Sequence, residues 1–153
     1  MTITPYLRKV QFYETDQMAI VHHSNYIRWF EEARVDYMEQ IGYGYAQANA
    51  AGIDFAVLAV DCRYKSMTRF GETVAIELAI AYLDATKITL AYTVRDSVTG
   101  QVRATGETKH CYFHNVKKRP VPLKKELPHL YELFVQLVAE QPKASTKPRE
   151  DMP

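Results

Sequence analysis

Residues 13–26 read YETDQMAIVHHSNY and are the most informative stretch of the chain. It lies between a short strand-like run and the most strongly helical segment in the first half of the chain. Asp16 stands a few residues before the predicted helix start, with His22 and His23 in between. A helix start offers free main-chain N–H groups and the positive end of a dipole. A carboxylate facing such donors is suited to act as nucleophile or base beside an oxyanion, so the stretch indicates acyl-transfer chemistry.

The segment that follows is predicted to be a helix over residues 24–41. Apolar residues recur along it at steps of three and four, and they form one stripe: Tyr26, Phe30, Ala33, Tyr37 and Ile41. Ser24 is a suitable N-cap, and Gly42 is a suitable residue to end the helix. Trp29 and other apolar residues lie beside this stripe and make the apolar surface of the helix wider. We therefore expect the rest of the protein to surround most of the helix.

Most of the remaining chain shows strand periodicity. A first strand is predicted over residues 6–14, with Val10 and Phe12 on one face. After residue 52, apolar side chains alternate at a period of two in four further runs, at residues 56–64, 74–82, 88–94 and 101–116. Short connectors join the last three of these runs to their predecessors, which makes neighbouring strands antiparallel. In the last run, the apolar residues Cys111 and Phe113 stand at odd-numbered positions, which are polar earlier in the run. A bulge near His110 would explain this change.

These elements define an α+β domain over residues 1–140, with one long helix and about five antiparallel strands. A terminal helix is predicted over residues 123–139. Residues 141–153 hold three prolines among polar residues and are predicted to be a disordered tail.

Composition narrows the class of protein. The net charge of +1 gives no basic field that would favour nucleic acid. No apolar run reaches the length of a membrane span, and the N-terminus lacks the core of a signal peptide. Cys62 and Cys111 have no metal-type spacing and are predicted to be free thiols in a reduced compartment. We therefore expect a cytoplasmic protein.

Short motifs in the chain resemble those of hotdog-fold acyl-CoA thioesterases. They are FYETD at residues 12–16, HHSNY at residues 22–26 and WFEEAR at residues 29–34. YKSMTRFGE at residues 64–72 and RPVP at residues 119–122 fit the 4-hydroxybenzoyl-CoA thioesterase branch. The resemblance covers residues 6–125 and implies a hotdog fold, in which a five- to six-stranded antiparallel sheet wraps a long central helix. The element order reached from periodicity agrees with that fold.

The resemblance implies catalytic roles within the opening stretch. Asp16 stands where the family has its catalytic aspartate, and the main-chain N–H of His23 stands where the family polarises the thioester carbonyl. The family commonly has glycine three residues after the aspartate, where this chain has Ala19. Alanine would be strained there if the position requires a positive φ. The resemblance also implies a dimer or tetramer with sites at the interface, and no cofactor, because CoA is part of the substrate.

Further residues are candidates for substrate binding. The His22 ring is suited to line the pocket, and Tyr26 does so unless it only packs in the core. Arg63, Lys65 and Arg69 cluster at a strand end and suit the phosphates of CoA, although solvated hairpin charges explain them equally well. A second basic run suits the phosphates too: Lys117, Lys118 and Arg119. Adjacent histidines point in different directions, so no metal site is predicted.

The sequence thus predicts an acyl-CoA thioesterase that releases a free acid and CoA, with Asp16 as nucleophile or general base. The enzymatic alternatives are a thioesterase acting on acyl carrier protein and a hotdog dehydratase, although a dehydratase would carry a different acid–base pair on its helix. The alternative from another class is a non-catalytic protein that binds acyl groups or CoA on the same fold. Whether the acyl group is aromatic or aliphatic stays open.

Overall fold

The longest helix of the protein packs against one face of a curled antiparallel sheet. The computed structural model describes residues 1–142 of the chain. Its elements are, in chain order, β1 (Tyr6–Lys9), α1 (Ser24–Gln40), α2 (Tyr45–Ala50), β2 (Ile53–Tyr64), β3 (Thr73–Leu83), β4 (Lys87–Asp96), β5 (Val102–His114), β6 (Arg119–Pro120), α3 (Leu123–Glu126) and α4 (Pro128–Glu140).

The sheet has the order β1-β3-β4-β5-β2, and β6 pairs with the end of β5. All of its strand pairs are antiparallel. Short hairpins join β3 to β4 and β4 to β5. The connector between β2 and β3 was expected to form a third hairpin, and this is wrong, because β2 pairs with β5 and β3 pairs with β1 and β4. The long strand β2 and the short strand β1 therefore lie at its two edges. This six-stranded sheet around α1 confirms the predicted α+β class and the hotdog fold.

The predicted apolar stripe of α1 forms the centre of the core. Phe30 is fully buried and stacks on Tyr92 of β4, with the ring centroids 4.3 Å apart. Gly106 of β5 lies directly beneath this ring: a Cβ at that position would lie 2.7 Å from Cε2 of Phe30. Any other residue at position 106 would push the helix away from the sheet, so this glycine sets how closely α1 approaches β5.

The first strand is shorter than predicted. β1 ends at Lys9, and Phe12–Glu14 form a 3-10 helix in which Phe12 is exposed rather than buried beside Val10. The Gln11 N–H donates to Oε1 of Glu14 at 2.8 Å, which turns the chain out of an extended path. The expected strand over residues 6–14 is wrong, because the main chain turns at Gln11 to hydrogen-bond to the buried carboxylate of Glu14, and the strand ends at Lys9.

The irregularity expected in the last strand lies in its neighbour. The even-numbered residues of β5 from Ala104 to Tyr112 are all buried, so β5 keeps one parity. Val57 pairs with His110 and Ala59 with the adjacent Lys109, which leaves Leu58 as the extra residue of a bulge in β2. A bulge in β5 near His110 is therefore wrong. The bulge of β5 lies at Arg103, the extra residue between Ala104, which pairs with Val94, and Val102, which pairs with Arg95. Cys111 is buried on the face opposite to Tyr112. Both faces of β5 are therefore covered at this point, and an apolar residue at an odd-numbered position does not require a bulge.

The predicted terminal helix is two helices, α3 and α4. The break falls before Pro128, which lacks the N–H that a continuous helix would require. Leu130 and Phe134 of α4 are buried against the domain, and the Ile80 N–H donates to the Gln141 side chain at 3.0 Å. The tail predicted over residues 141–153 lies, from residue 143 onwards, outside the described residues.

Two further observations bear on the class of protein. Among residues 1–142, no helix is long and apolar enough to cross a bilayer. Cys62 and Cys111 are free thiols, as predicted. Cys111 pairs with Ala56 across β5 and β2, so it lies six residues, roughly 20 Å, along the strand from Cys62.

Candidate active site

Glu14 anchors the loop that carries Asp16. Its side chain is only 3% exposed and accepts hydrogen bonds from both Nη atoms of Arg8, at 2.9 and 3.1 Å. The indole Nε1 of Trp29, on α1, donates to the same carboxylate at 2.8 Å. A buried carboxylate is stable only when it is paired and hydrogen-bonded, and these contacts meet both conditions. Glu14 therefore ties β1, the loop and α1 together.

The main chain of Glu14 completes this anchor. Its carbonyl oxygen accepts hydrogen bonds from the His22 N–H at 2.8 Å and from the Asn25 side chain at 2.9 Å. The two ends of the loop that contains Asp16 are thereby held together at the start of α1. The sequence analysis assigned Glu14 to a strand and gave it no role. Its place beside Asp16 in the FYETD motif was the available signal.

Asp16 starts a tight turn. Its Oδ1 accepts a hydrogen bond from the Met18 N–H at 2.7 Å, and its carbonyl accepts one from the Ala19 N–H at 3.0 Å. The other carboxylate oxygen, Oδ2, has no hydrogen-bond partner within residues 1–142. Ala19 has a φ of +61°, in the left-handed region where a Cβ is unfavourable. The departure from glycine noted in the sequence therefore places alanine in a strained conformation.

His22, rather than Ser24, caps the start of α1. The Nδ1 atom of the His22 ring accepts a hydrogen bond from the Ser24 N–H at 3.2 Å and lies 2.8 Å from the Ser24 hydroxyl. The His22 carbonyl accepts from the Asn25 N–H at 3.0 Å. Ser24 is the first helical residue, so the expected N-cap role of its side chain is wrong. In the described part of the chain, the His23 N–H between these groups has no hydrogen-bond partner.

Asp16 and His23 line one open cleft of about 370 Å³. Tyr26 and Tyr64 form part of its wall, with their ring centroids 5.3 Å apart and nearly perpendicular. The Tyr64 hydroxyl donates to the carbonyl of His23 at 3.0 Å, and the Tyr26 hydroxyl donates to Thr68 at 3.0 Å. The residues that carry a carboxylate, a free main-chain N–H and aromatic rings therefore line the same space.

The two phenols of the cleft are neutral at physiological pH. Burial, together with the smaller effect of the contact with Cys62, raises the pKa of Tyr64 to about 12. Burial also raises the pKa of Tyr26, against the lowering effect of its bond to Thr68. Asp16 is therefore the acidic side chain that this cleft offers for chemistry. Within residues 1–142, no three His, Cys, Asp or Glu side chains converge as a metal-binding group.

The structure brings together some of the predicted site residues and not others. Asp16, His23, Tyr26 and Lys65 line the cleft, whereas His22, Arg63 and Arg69 do not. Tyr26 is also 97% buried and packs in the core. Its role in substrate binding stays a prediction. The cleft includes residues that the sequence analysis did not single out: Ile20, Val21, Tyr64, Ser66 and Met67. Three of these belong to the YKSMTRFGE motif, which was the available signal.

The second basic run lies far from Asp16 within the chain. Lys117 and Lys118 follow β5, where His114 pairs with Ile53 at the start of β2. The cleft lies at the other end of β2, beside Tyr64, which is roughly 35 Å away at 3.3 Å per residue. Lys117 also approaches Glu126, with Nζ and Oε1 3.8 Å apart. One copy of the chain does not bring Lys117, Lys118 and Arg119 to the cleft.

A hotdog sheet with a carboxylate beside the start of its central helix defines the class of protein. The chain belongs to the thioesterase-like superfamily, whose family profile matches residues 10–132. Its membership makes it a thioester hydrolase.

Individual relatives agree with this assignment. A protein of Aquifex aeolicus that is provisionally described as an esterase is 36% identical over 76% of this chain and 90% of its own length. A protein of Bacillus subtilis, provisionally described as an acyl-CoA thioesterase, is 26% identical over 82% of this chain and 91% of its own. Among solved structures, the DHNA-CoA thioesterase of Staphylococcus aureus has a TM-score of 0.84 at 25% identity, with 89% of this chain and 91% of that chain covered.

Proposed function

We propose that this protein is an acyl-CoA thioesterase of the 4-hydroxybenzoyl-CoA type, with Asp16 as its reacting carboxylate. One observation carries the proposal: Asp16 and the unbonded N–H of His23 line the same cleft at the start of a 17-residue helix. The helix dipole adds to the positive potential at that N–H. This combination suits a thioester, whose carbonyl oxygen gains negative charge as the carbon is attacked.

The reaction proceeds by one of two routes. In the first, a carboxylate oxygen of Asp16 attacks the thioester carbon, CoA leaves as a thiolate, and water hydrolyses the resulting mixed anhydride. In the second, Asp16 takes a proton from water, and the hydroxide attacks the thioester carbon directly. The His23 N–H donates to the developing oxyanion in both routes. A thiolate leaves readily without a proton donor, which fits a cleft whose phenols hold their protons.

Replacement of Asp16 by Asn tests the reacting group. The amide oxygen of Asn can still accept from the Met18 N–H, so the turn should persist. We expect hydrolysis of acyl-CoAs to fall by orders of magnitude, about 10²–10⁴-fold if Asp16 is the general base, with folding and CoA binding unchanged. Asp84→Asn is the matched control, because Asp84, in the turn between β3 and β4, likewise accepts from the main-chain N–H two residues further on, that of Thr86 at 2.8 Å, and does not line the cleft. Full turnover by the Asp16→Asn protein would overturn the assignment.

We propose an aromatic acyl group as the substrate class. The rings of His23, Tyr26 and Tyr64 wall the cleft, and aromatic faces favour stacked or edge contacts with another ring. The name of the Staphylococcus aureus relative, a DHNA-CoA thioesterase, supports the same class. Steady-state kinetics on matched benzoyl-CoA and straight-chain acyl-CoA substrates tests it. A higher kcat/KM for straight chains would reject the aromatic class while leaving the Asp16 assignment in place.

The proposed assembly is a dimer formed through β2. This strand lies at an edge of the sheet and exposes Val57, Leu58 and Val60, an unusual amount of apolar surface for an edge strand. Two β2 strands related by a two-fold axis pair antiparallel. The start of one β2 then lies beside the end of the other, which brings the basic run of the second copy towards the Asp16 cleft.

This arrangement gives the basic run its role. Lys117, Lys118 and Arg119 of one copy would bind CoA phosphates at the cleft of the other, beside Lys65. The free thiols Cys62 and Cys111 fit such an enzyme in the reducing cytoplasm, which we propose as its location.

Mixing two defective variants tests the shared site. Asp16→Asn and a triple variant with Glu at positions 117, 118 and 119 should each be impaired at low substrate concentration. After unfolding and co-refolding, heterodimers carry one intact site, so we expect about a quarter of the wild-type activity to return. A chain that carries all four changes is the control and should restore nothing with Asp16→Asn. No recovery from intact heterodimers would reject the shared site, and a monomer by light scattering would reject the dimer.

A further inference from the structure

The turn that carries the basic run is held by a histidine at its base. This turn joins β5 to β6, which pair at His114 and Arg119. The Nδ1 atom of the His114 ring accepts hydrogen bonds from the Val116 N–H at 3.2 Å and from the Lys117 N–H at 3.0 Å. The His114 carbonyl accepts a third hydrogen bond, from the Lys118 N–H at 2.8 Å. One residue therefore bonds to three successive N–H groups of the turn.

These hydrogen bonds fix the tautomer of the ring and its place in the fold. Main-chain N–H groups only donate, so Nδ1 of His114 carries no proton and the ring holds its proton on Nε2. This side of the ring lies against Gly52, where a Cβ would be 3.3 Å from Nε2. The Asn115 N–H donates to the Gly52 carbonyl at 2.9 Å, and the Asn115 side chain donates to the Asn49 carbonyl at 3.0 Å. The base of the turn is therefore fastened to the chain just before β2.

The turn holds one of its cations in an unfavourable conformation. Lys118 has a φ of +56°, in the left-handed region where a Cβ costs energy. Such strain persists only where surrounding contacts impose it, and it is common where a ligand is held. Lys117 approaches Glu126, whereas Lys118 and Arg119 form no ion pair within residues 1–142. Two neighbouring cations are therefore left for an anionic group.

We propose that His114 is a positioning residue for CoA, which holds this turn in the conformation that presents Lys118 and Arg119 to the CoA phosphates. The inference rests on the proposed function, in which the basic run of one copy binds CoA at the cleft of the other. Ordering a turn during binding costs affinity, so a turn that is already ordered binds the phosphates more tightly. His114 thus acts on the binding of CoA and not on the thioester.

Kinetics on two substrates with the same acyl group test this role. Benzoyl-CoA carries the phosphates, and benzoyl-pantetheine has the same thioester without them. His114→Leu removes the Nδ1 acceptor, so we expect KM for benzoyl-CoA to rise about 5-fold or more with kcat unchanged, and the kinetics on benzoyl-pantetheine to stay at wild-type values. His114→Asn should restore KM, because an Asn oxygen accepts from N–H groups further along a turn. His129→Leu, at an exposed histidine of α4, is the matched control.

An unchanged KM for benzoyl-CoA in His114→Leu overturns the proposal. An equal loss on both substrates overturns it as well, because His114 then supports the fold rather than the phosphate site. If His114→Leu does not fold, His114→Gln replaces it: its longer side chain does not form this local turn, so its KM should exceed that of His114→Asn, and equal values reject the role.

The triple variant with Glu at positions 117, 118 and 119 separates this inference from the proposed function. A raised KM in the triple variant together with a wild-type KM in His114→Leu rejects only the role of His114. An unchanged KM in the triple variant rejects the phosphate site itself, and the role of His114 with it.

Discussion

Replacement of Glu14 by Gln is the sharpest test of how the active-site loop is held. The change keeps the shape of the side chain and removes its charge. In the wild-type protein the carboxylate accepts from Arg8, from the Trp29 indole and from the Gln11 N–H. A Gln amide presents an NH₂ group to at least one of these donors, which leaves a buried N–H group facing another donor.

The expected loss of stability follows from burial. Removing one partner of a buried ion pair costs about 3–5 kcal/mol. Arg8 keeps 15% of its side-chain exposure and a second partner, Glu32, at 2.9 Å, so we expect the lower range, about 2–3 kcal/mol. Urea unfolding should show this as a midpoint lowered by about 1 M or more. Turnover should fall too, because the Glu14 carbonyl holds the chain at His22 and Asn25.

Glu32→Gln is the matched control for this experiment. Glu32 also contacts Arg8, but its side chain is 36% exposed, so the change should cost about 1 kcal/mol or less. The two carboxylates share one arginine but differ in burial, so we expect a clear difference between the two losses of stability. Equal losses in the two variants, or an unchanged midpoint for Glu14→Gln, would refute the claim that burial of Glu14 secures the loop.

Three further predictions follow from the loop, the cleft and a turn. Ala19→Gly should raise the free energy of unfolding in urea by about 0.5–1 kcal/mol, because glycine relieves the strain at a φ of +61°. The control Ala46→Gly, in α2, should lower the free energy of unfolding, because glycine disfavours a helix. A loss of stability in both variants would contradict the strain at Ala19. Tyr64→Phe removes the bond to the His23 carbonyl, so steady-state kinetics should show kcat falling several-fold with KM little changed; a rise in KM alone would assign Tyr64 to substrate binding. The N–H groups of Thr99 and Val98 lower the pKa of Asp96 to about 2. A pKa that is lowered in the folded state contributes stability above pH 4, and this stability is lost as the pH falls towards 2. In Asp96→Asn, the free energy of unfolding should therefore depend less on pH between 4 and 2. An unchanged pH dependence would contradict this prediction.

The periodicity of apolar residues was sufficient to predict the central helix and the antiparallel strands. The stripe from Tyr26 to Ile41 required one buried helix, because residues three and four apart share a helix face. The alternation of apolar residues after position 52 required strands, and short connectors made them antiparallel. These properties are local, so a single sequence contains them. The prediction failed where a distant partner intervened, as at Glu14, whose bonds to Arg8 and Trp29 ended the first strand early.

The helix, the sheet class and the position of Asp16 before the helix start each depend on neighbours along the chain, so the amino-acid sequence alone predicts them. The cap that His22 forms on the helix and the unbonded N–H of His23 are visible only in the folded protein, because the path of the loop depends on contacts across the fold. The folded protein also brings Arg34 and His110, 76 positions apart in the chain, to the same cavity. A hydrogen bond depends on distance and direction in space, and sequence spacing specifies neither for residues on different elements.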